Sequence, residues 1–255
     1  MSKLPKEYQF IDLSDYGRPV ANFIAKRLKD TSVKPTHITL GFVICGLLAI
    51  VCLLFEYYWA TALLLIMKSI LDAADGELAR LNKTPSYVGR YLDSVSDIIL
   101  NALILAAIWY VTDGSLVYLI LAFCGLQLQG TLYNYYYAIL RNRFNGDTTS
   151  RVFEREIPKA LEGEKQKHVT ILFKLYRLLY GLFDLIIYRL DRKAAQGKKL
   201  PNWFMTAVSV YGLGFQLLII GTLLVLNLKQ YIIPFFIVFS VFIFIFIGLR
   251  KYLNR

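Results

Sequence analysis

Charged residues are scarce in this chain: Asp, Glu, Lys and Arg make up 18% of its 255 residues, where a soluble domain carries about 25%. That shortfall argues against a soluble domain. Histidine is scarcer still. His37 and His168 stand alone, with no partners in sequence that would complete a metal or acid–base site. The three cysteines, Cys45, Cys52 and Cys124, all lie in apolar runs, which suits packing and argues against a zinc site or a disulfide framework. The first 35 residues are polar or amphipathic, so no cleavable signal peptide is expected. What is abundant is hydrophobicity, at 56% of residues with a mean hydropathy of +0.48. Acids number 18 against 29 lysines and arginines, a formal charge of +11. In a soluble chain that balance would raise nucleic-acid binding. Here the basic residues collect between apolar runs, where they set orientation and meet anionic headgroups, so no nucleic-acid partner is expected.

Apolar runs near the bilayer-spanning length of roughly 20 residues recur. They place six spans at 37–55, 58–80, 88–111, 116–140, 203–227 and 231–249. The expected fold is all-α and integral to the membrane, one membrane domain over 1–255. It divides into an arm and interfacial helix (1–36), spans one to four (37–140), a cytoplasmic connection (141–200) and spans five and six (201–255). After Pro19, Val20, Phe23, Ile24 and Leu28 oppose Asn22, Lys26 and Lys29, the pattern of an amphipathic helix in the membrane interface. The stretch 168–192 is apolar enough for a seventh span, yet Lys174, Arg177, Gly181 and Asp184 form one polar stripe along it. Charge decides the matter. With six spans, all but two of the 29 basic residues (Lys68 and Lys229) fall on one side. The positive-inside rule then puts both termini in the cytoplasm and lays 168–192 along the surface as a second amphipathic helix.

The stretch Asp72–Asp97 reads DAADGELARLNKTPSYVGRYLDSVSD. Ionisable residues in membrane helices are expensive and mark function. Residues three and four apart share a helix face. Asp72, Asp75, Gly76, Ala79 and Arg80 therefore line one stripe of span two, with Glu77 pointing away, and Gly89, Asp93 and Asp97 line one stripe of span three. The short turn at 82–86 makes these helices antiparallel neighbours facing one cleft. Four carboxylates so close repel unless cations intervene. Hard oxygen ligands without His or Cys favour magnesium or manganese, ions that serve phosphate chemistry. Arg80 suits a phosphate, while Gly76, Ala79 and Gly89 leave room for a bulky ligand. The bland alternative is a set of salt bridges to Arg80, Lys83 and Arg90.

The spacing D-x2-D-G-x2-A-R-x8-G-x3-D-x3-D resembles the signature of the CDP-alcohol phosphotransferase family, matched by Asp72, Asp75, Gly76, Ala79, Arg80, Gly89, Asp93 and Asp97. The six-span layout and the amphipathic N-terminal helix are similar as well; the likeness thins over 141–200. The resemblance implies that Asp72, Asp75 and Asp93 bind two Mg2+ or Mn2+ ions, with Asp97 beside them among the metal-site carboxylates and acting as general base. It implies that Gly76, Ala79 and Gly89 shape the nucleotide pocket, with Arg80 on the diphosphate. Pro35 and Thr39 match the family's Pro-Asn-x-x-Thr element near the nucleotide, although Thr36 replaces the asparagine. The implied reaction transfers a phosphatidyl group from CDP-diacylglycerol to a polar alcohol (inositol phosphate, glycerol phosphate, serine or similar) and releases CMP. CDP-choline or CDP-ethanolamine donating to a lipid alcohol is the alternative within the family. The wording Gly76-Glu77-x-Ala79-Arg80-Leu81 looks like prokaryotic members, which implies a prokaryotic inner membrane, and the family implies a homodimer among membrane lipids. Outside the family, a UbiA-like prenyltransferase would carry its aspartates on well-separated helices. A carboxylate-relay transporter would spread them through the bilayer.

Secondary features are open to two readings each. Gln127, Gly130, Thr131, Asn134 and Ala138 share a face of span four and read first as glue between helices, with an acceptor cavity as the other reading. Arg141, Arg143 and Arg151, with Arg155, could hold a phosphorylated acceptor or simply attract headgroups. The Tyr133–Tyr137 cluster reads as an interfacial aromatic belt.

Overall fold

A computed structural model describes residues 4–144, 154, 156–197 and 200–254, and the regular structure among them is helical throughout. The helices are α1 (Arg18–Leu28), α2 (Pro35–Leu54), α3 (Tyr58–Leu81), α4 (Tyr87–Val111), α5 (Leu116–Arg143), α6 (Gln166–Leu190), α7 (Asn202–Val208), α8 (Leu213–Val225), α9 (Ile232–Phe239) and α10 (Phe242–Leu253). Four segments are long and apolar enough to cross a membrane: α2, α4, α5 and the stretch Lys229–Leu253. A fifth is added if Asn202–Tyr211 and Leu213–Val225, bent by 52°, count as one. α3 has 24 residues, so its length suffices, but its inner half carries Lys68, Asp72 and Asp75.

The tight turns explain why the helices run back and forth. Glu56, Lys83, Asp113 and Asn227 each take a positive φ, between 48° and 60°, just past a helix end. That left-handed residue folds the chain back and closes the last helical turn. At one end of the bundle Lys229 Nζ meets Glu56 Oε1 at 2.6 Å, tying the α2–α3 turn to the α8–α9 connection. At the opposite end the N-terminal arm docks on α7. The Asn202 side chain donates to the Gln9 carbonyl at 3.0 Å, and the Leu13 backbone N–H donates to Ser209 Oγ at 2.9 Å. α8 lies so closely against the N-terminal arm and α3 that a β-carbon at Gly214 would collide with the Ser14 carbonyl oxygen and Ser69 Oγ, and one at Gly221 would press on Ala62. Small residues permit such approach in membrane helices, where packing rather than hydrophobic collapse drives association.

α6 has both ends at the same end of the bundle. Its N-terminal turns pack Val169 and Phe173 on Tyr87 and Tyr91 at the start of α4. Past its C-terminal end, Asp191 accepts from Tyr136 Oη and from Arg250 Nε, each at 2.7 Å, near the end of α10. The orientation of its faces departs from the sequence-based expectation. Tyr176, Tyr180, Asp184 and Ile187 turn inward to line a cavity, whereas Ile171, Leu175, Leu178 and Leu182 are exposed. An outward apolar stripe on a polar-cored bundle is the arrangement lipid favours over water.

One other expectation is corrected. Tyr133, Tyr135 and Tyr136 are buried in the core, with Tyr133 donating to Asp12 and Tyr136 to Asp191, so they form no interfacial belt. α1 buries Ala21 and Ala25 on Ala74 and Leu78 of α3. Within its apolar set, Val20 and Phe23 remain exposed.

Candidate active site

The site is set by the register of α3 against α4. Ser86 begins α4 by accepting from the Gly89 backbone N–H at 2.8 Å. Glu164, far away in sequence, accepts from Ser86 Oγ at 2.7 Å and from the Val88 backbone N–H at 2.8 Å. A carboxylate on free N–H groups at a helix start is favoured by the helix dipole as well as by the hydrogen bonds. With α4 so placed, Asp72, Asp75 and Asp93 bring carboxylate oxygens within 4.8 Å of one another. Asp75 accepts from Thr39 Oγ1 at 2.8 Å. One oxygen of Asp93 is buried with no hydrogen-bond partner. Three carboxylates sharing one point, one with an unsatisfied buried oxygen, fit a hard divalent cation.

Asp97 does not join that trio. Its Oδ1 accepts from Lys68 Nζ at 2.6 Å, and Lys68 is completely buried with its ammonium 5.0 Å from the Phe42 ring centroid. Asp97, which the resemblance sets among the metal-site carboxylates and makes the general base, lies outside the group of three whose oxygens converge. Lys68 sits one helical turn before Asp72, so it shares that stripe. It was legible as a basic residue inside a span, away from its ends.

The remaining expected residues divide. Pro35, Thr39, Gly76, Ala79, Arg80 and Gly89 line, with the aspartates, a cavity of about 1410 Å³. Glu77 points away from the aspartate stripe, yet it is buried and accepts from Arg80 Nη2 at 2.6 Å and from Arg18 Nη1 at 3.3 Å. Asn134 and Arg141 line the same cavity, Arg141 over the Tyr137 ring at 4.7 Å. Arg143 does not reach it and donates to the Gly197 carbonyl on an exposed surface. Arg151 and Arg155 lie outside the described residues. All five residues of the α5 face, Gln127, Gly130, Thr131, Asn134 and Ala138, border the cavity rather than acting only as glue.

Several contributors had no local signal in the sequence. Glu154 accepts from Arg90 and from Tyr91 Oη, which joins the connection after α5 to the first turn of α4. Tyr176 donates to Asp184 at 2.9 Å on the inner face of α6. Arg18, paired with Asp15 and Glu77, brings the N-terminal arm to the cavity. The Glu154 and Arg18–Glu77 contacts join residues 59 to 64 apart in sequence, which no periodicity reveals.

The bundle thus holds a cavity that gathers three carboxylates around a cation-sized point and is ringed by basic groups. The model of the CDP-alcohol phosphatidyltransferase family matches residues 33–189, more than half of the chain, and the chain belongs to that family. With its apolar helices, this makes it an integral membrane protein. It is similar to the bifunctional IPC transferase and DIPP synthase of Thermococcus kodakarensis, 29% identical over 159 residues, covering 61% of this chain and 35% of the relative. It is also similar to the CDP-diacylglycerol–serine O-phosphatidyltransferase of Bacillus subtilis, 42% identical over 65 residues, covering 26% of this chain and 37% of the relative. The matches therefore span little more than a third of either relative's length.

Proposed function

We propose that this protein transfers a phosphatidyl group from CDP-diacylglycerol to a polar alcohol and releases CMP. The observation that carries the reading is the meeting of Asp72, Asp75 and Asp93, with Asp97 one helical turn further along α4. In this reading the chain crosses the membrane six times, through α2, α3, α4, α5, α7–α8 and α9–α10. α6 lies at the cytoplasmic face with both termini. The shared end of the Asp191, Arg250 and N-terminal-arm contacts supports that layout.

The trio holds magnesium or manganese, two ions in our reading, whose chemistry is to neutralise the diphosphate and its developing charge. Arg80, steadied by Glu77, faces the donor's diphosphate, and Gly76, Ala79 and Gly89 leave space for the cytidine. Asp97, oriented by Lys68, takes the proton from the acceptor hydroxyl. The hydroxyl oxygen then forms its bond to the phosphorus next to the diacylglycerol. The phosphoanhydride bond to CMP breaks, and CMP departs with that electron pair. Concentration of the carboxylates between two adjacent helices supports this over a relay through the bilayer.

The test is CMP release by purified protein with Mg2+ or Mn2+, CDP-diacylglycerol and a panel of polar acceptors, with Asp97→Asn alongside. Release that depends on the acceptor and is lost in the variant is expected. No release with CDP-diacylglycerol, nor with CDP-choline or CDP-ethanolamine and diacylglycerol, would refute the reading.

A further inference from the structure

The polar residues of α5 fall into two sets. Gln129 is fully buried and satisfied: it donates to the Phe236 carbonyl at 3.1 Å and to Ser240 Oγ at 3.0 Å, and accepts from Gln216 at 3.1 Å. Gln216 also donates to the Leu126 carbonyl at 3.2 Å. These contacts join α5 to α8 and α9. Gln127 and Thr131 differ. They are 4% and 6% exposed, and Gln127 Nε2 and Thr131 Oγ1 have no hydrogen-bond partner. Four residues apart, they share one face, and both line the cavity. On α4, Asn101, which lines the same cavity, continues the stripe of Asp93 and Asp97 by one more turn and is 6% exposed.

An unpartnered buried amide or hydroxyl is destabilising, because it gives up water without gaining a protein partner. Two of them on one face, aimed into a cavity beside a candidate base, have the character of a binding surface. The chemistry of that inner end is neutral. Among the basic groups lining the cavity, Arg80 pairs with Glu77, Arg18 with Asp15 and Glu77, and Arg90 with Glu154, while Arg141, near the far end of α5, sits over the Tyr137 ring. Lys34, Lys83 and Lys165 line the cavity from exposed positions. A charged group of either substrate thus has its counter-charges at the open side. The inner end offers an amide N–H, a hydroxyl and the Asn101 amide, which match the hydroxyl groups of a sugar-like alcohol.

We infer that Gln127 and Thr131 form a hydroxyl-binding subsite beyond Asp97, so that the acceptor is a polyol carrying at least one hydroxyl besides the one that reacts. The inference deepens the phosphotransfer reading and rests on it for the reaction, but not for binding. Free polyol and polyol phosphate share this chemistry and are separated by experiment.

Gln127→Leu and Thr131→Val remove the unpartnered atoms and keep the approximate volume. Because no protein contact is lost, thermal stability in the absence of substrates should hold or rise, whereas Gln129→Leu should lower it. In CMP-release assays with CDP-diacylglycerol, the wild type should favour glycerol over propane-1,3-diol, and inositol over ethanolamine. The glycerol comparison is repeated with both alcohols as phosphate monoesters to tell which source is used. Each variant should raise the acceptor KM about 5-fold and leave the donor KM within twofold, consistent with one neutral hydrogen bond per residue. The preference for glycerol over its deoxy analogue should shrink by the same factor. Saturation-transfer NMR with inositol and glycerol phosphate reads binding without turnover, so polyol binding that weakens in the variants supports the subsite even if no CMP appears. Loss of CMP release alone sinks the transferase reading. An unchanged acceptor KM, a shifted donor KM, use of serine alone, or the absence of both polyol binding and polyol turnover would overturn the subsite and leave its polar atoms to water.

Discussion

Lys68→Met is the most informative single change. In the native protein Lys68 has no exposed side-chain surface, and its partner Asp97 has 12%, so the 2.6 Å contact is a desolvated ion pair. Removing one member of such a pair costs about 3–5 kcal/mol, because the other charge remains buried without compensation. Here the cost falls on a carboxylate that already shares its cavity with Asp72, Asp75 and Asp93. The assay is a double-mutant cycle read by thermal unfolding in detergent, without divalent ions: Lys68→Met, Asp97→Asn and the combination. The single lysine variant should lose most of that stability. The combination, with no charge left at the pair, should recover a large part of it, giving a coupling of about 1–3 kcal/mol. Adding Mg2+ sharpens the test. With Lys68 gone the carboxylate cluster is more negative, so Mg2+ should raise the unfolding temperature of Lys68→Met by more than it raises that of the wild type. Additive losses, together with equal Mg2+ stabilisation of both proteins, would show that Lys68 and the carboxylates do not form one electrostatic unit.

Three further outcomes follow from named contacts. Asp97→Asn should retain binding of the CDP-alcohol donor while CMP release falls roughly 10²- to 10⁴-fold, the range for loss of a general base; a loss under tenfold would move the base elsewhere. Glu164→Ala strips two hydrogen bonds from the start of α4 and should cost about 1 kcal/mol, seen as faster hydrogen exchange at residues 87–90 and unchanged exchange in α8. Glu154→Ala leaves Arg90, 21% exposed along its side chain, without its carboxylate. Its cost should be about 2–3 kcal/mol, below the fully buried range because Arg90 keeps some contact with water, and an unfolding temperature equal to the wild type's would contradict the packing of Glu154 on α4.

The parts of this fold that were legible in the sequence are those governed by local rules. Helix limits followed from apolar runs and turn residues: the expected span at 88–111 compares with Tyr87–Val111, and 58–80 with Tyr58–Leu81. The aspartate stripes followed from a repeat of three and four on a helix, and the carboxylates of Asp72, Asp75 and Asp93 do converge. What could not be read is which face of a polar-striped helix turns inward. A stripe such as Lys174, Arg177, Gly181 and Asp184 looks the same in sequence whether it meets water or a polar cavity. The same ambiguity hid the division between Gln129, which packs, and Gln127, which does not. Two residues of one type, two positions apart, differ only in what α8 and α9 bring against them.

That ambiguity bears on how a site of this kind is built within lipid. A carboxylate cluster in a membrane bundle needs walls that are polar inside and apolar outside, the reverse of a soluble helix. α6 meets this need with Tyr176, Tyr180 and Asp184 on its inner side and Leu178 and Leu182 outside. The N-terminal arm meets it at the other wall, where Asp12, Asp15 and Arg18 line the cavity while Tyr133 and Glu77 hold them from behind. Both walls come from segments outside the six expected spans, recruited by long-range bonds to α4, α5 and α3. In the proposed reading the four aspartates supply the reactive centre. The segments at 12–18 and 154–187, which carry no part of the signature, shape the space that an acceptor must fit. Acceptor choice is therefore expected to depend on those segments together with the Gln127–Thr131 face of α5, while the aspartate helices α3 and α4 stay the same. Exchanging residues 154–187 for the corresponding segment of a relative with a different acceptor should alter acceptor preference and leave donor use intact, and unaltered preference in a folded exchange variant would place selectivity on α3, α4 and α5 alone.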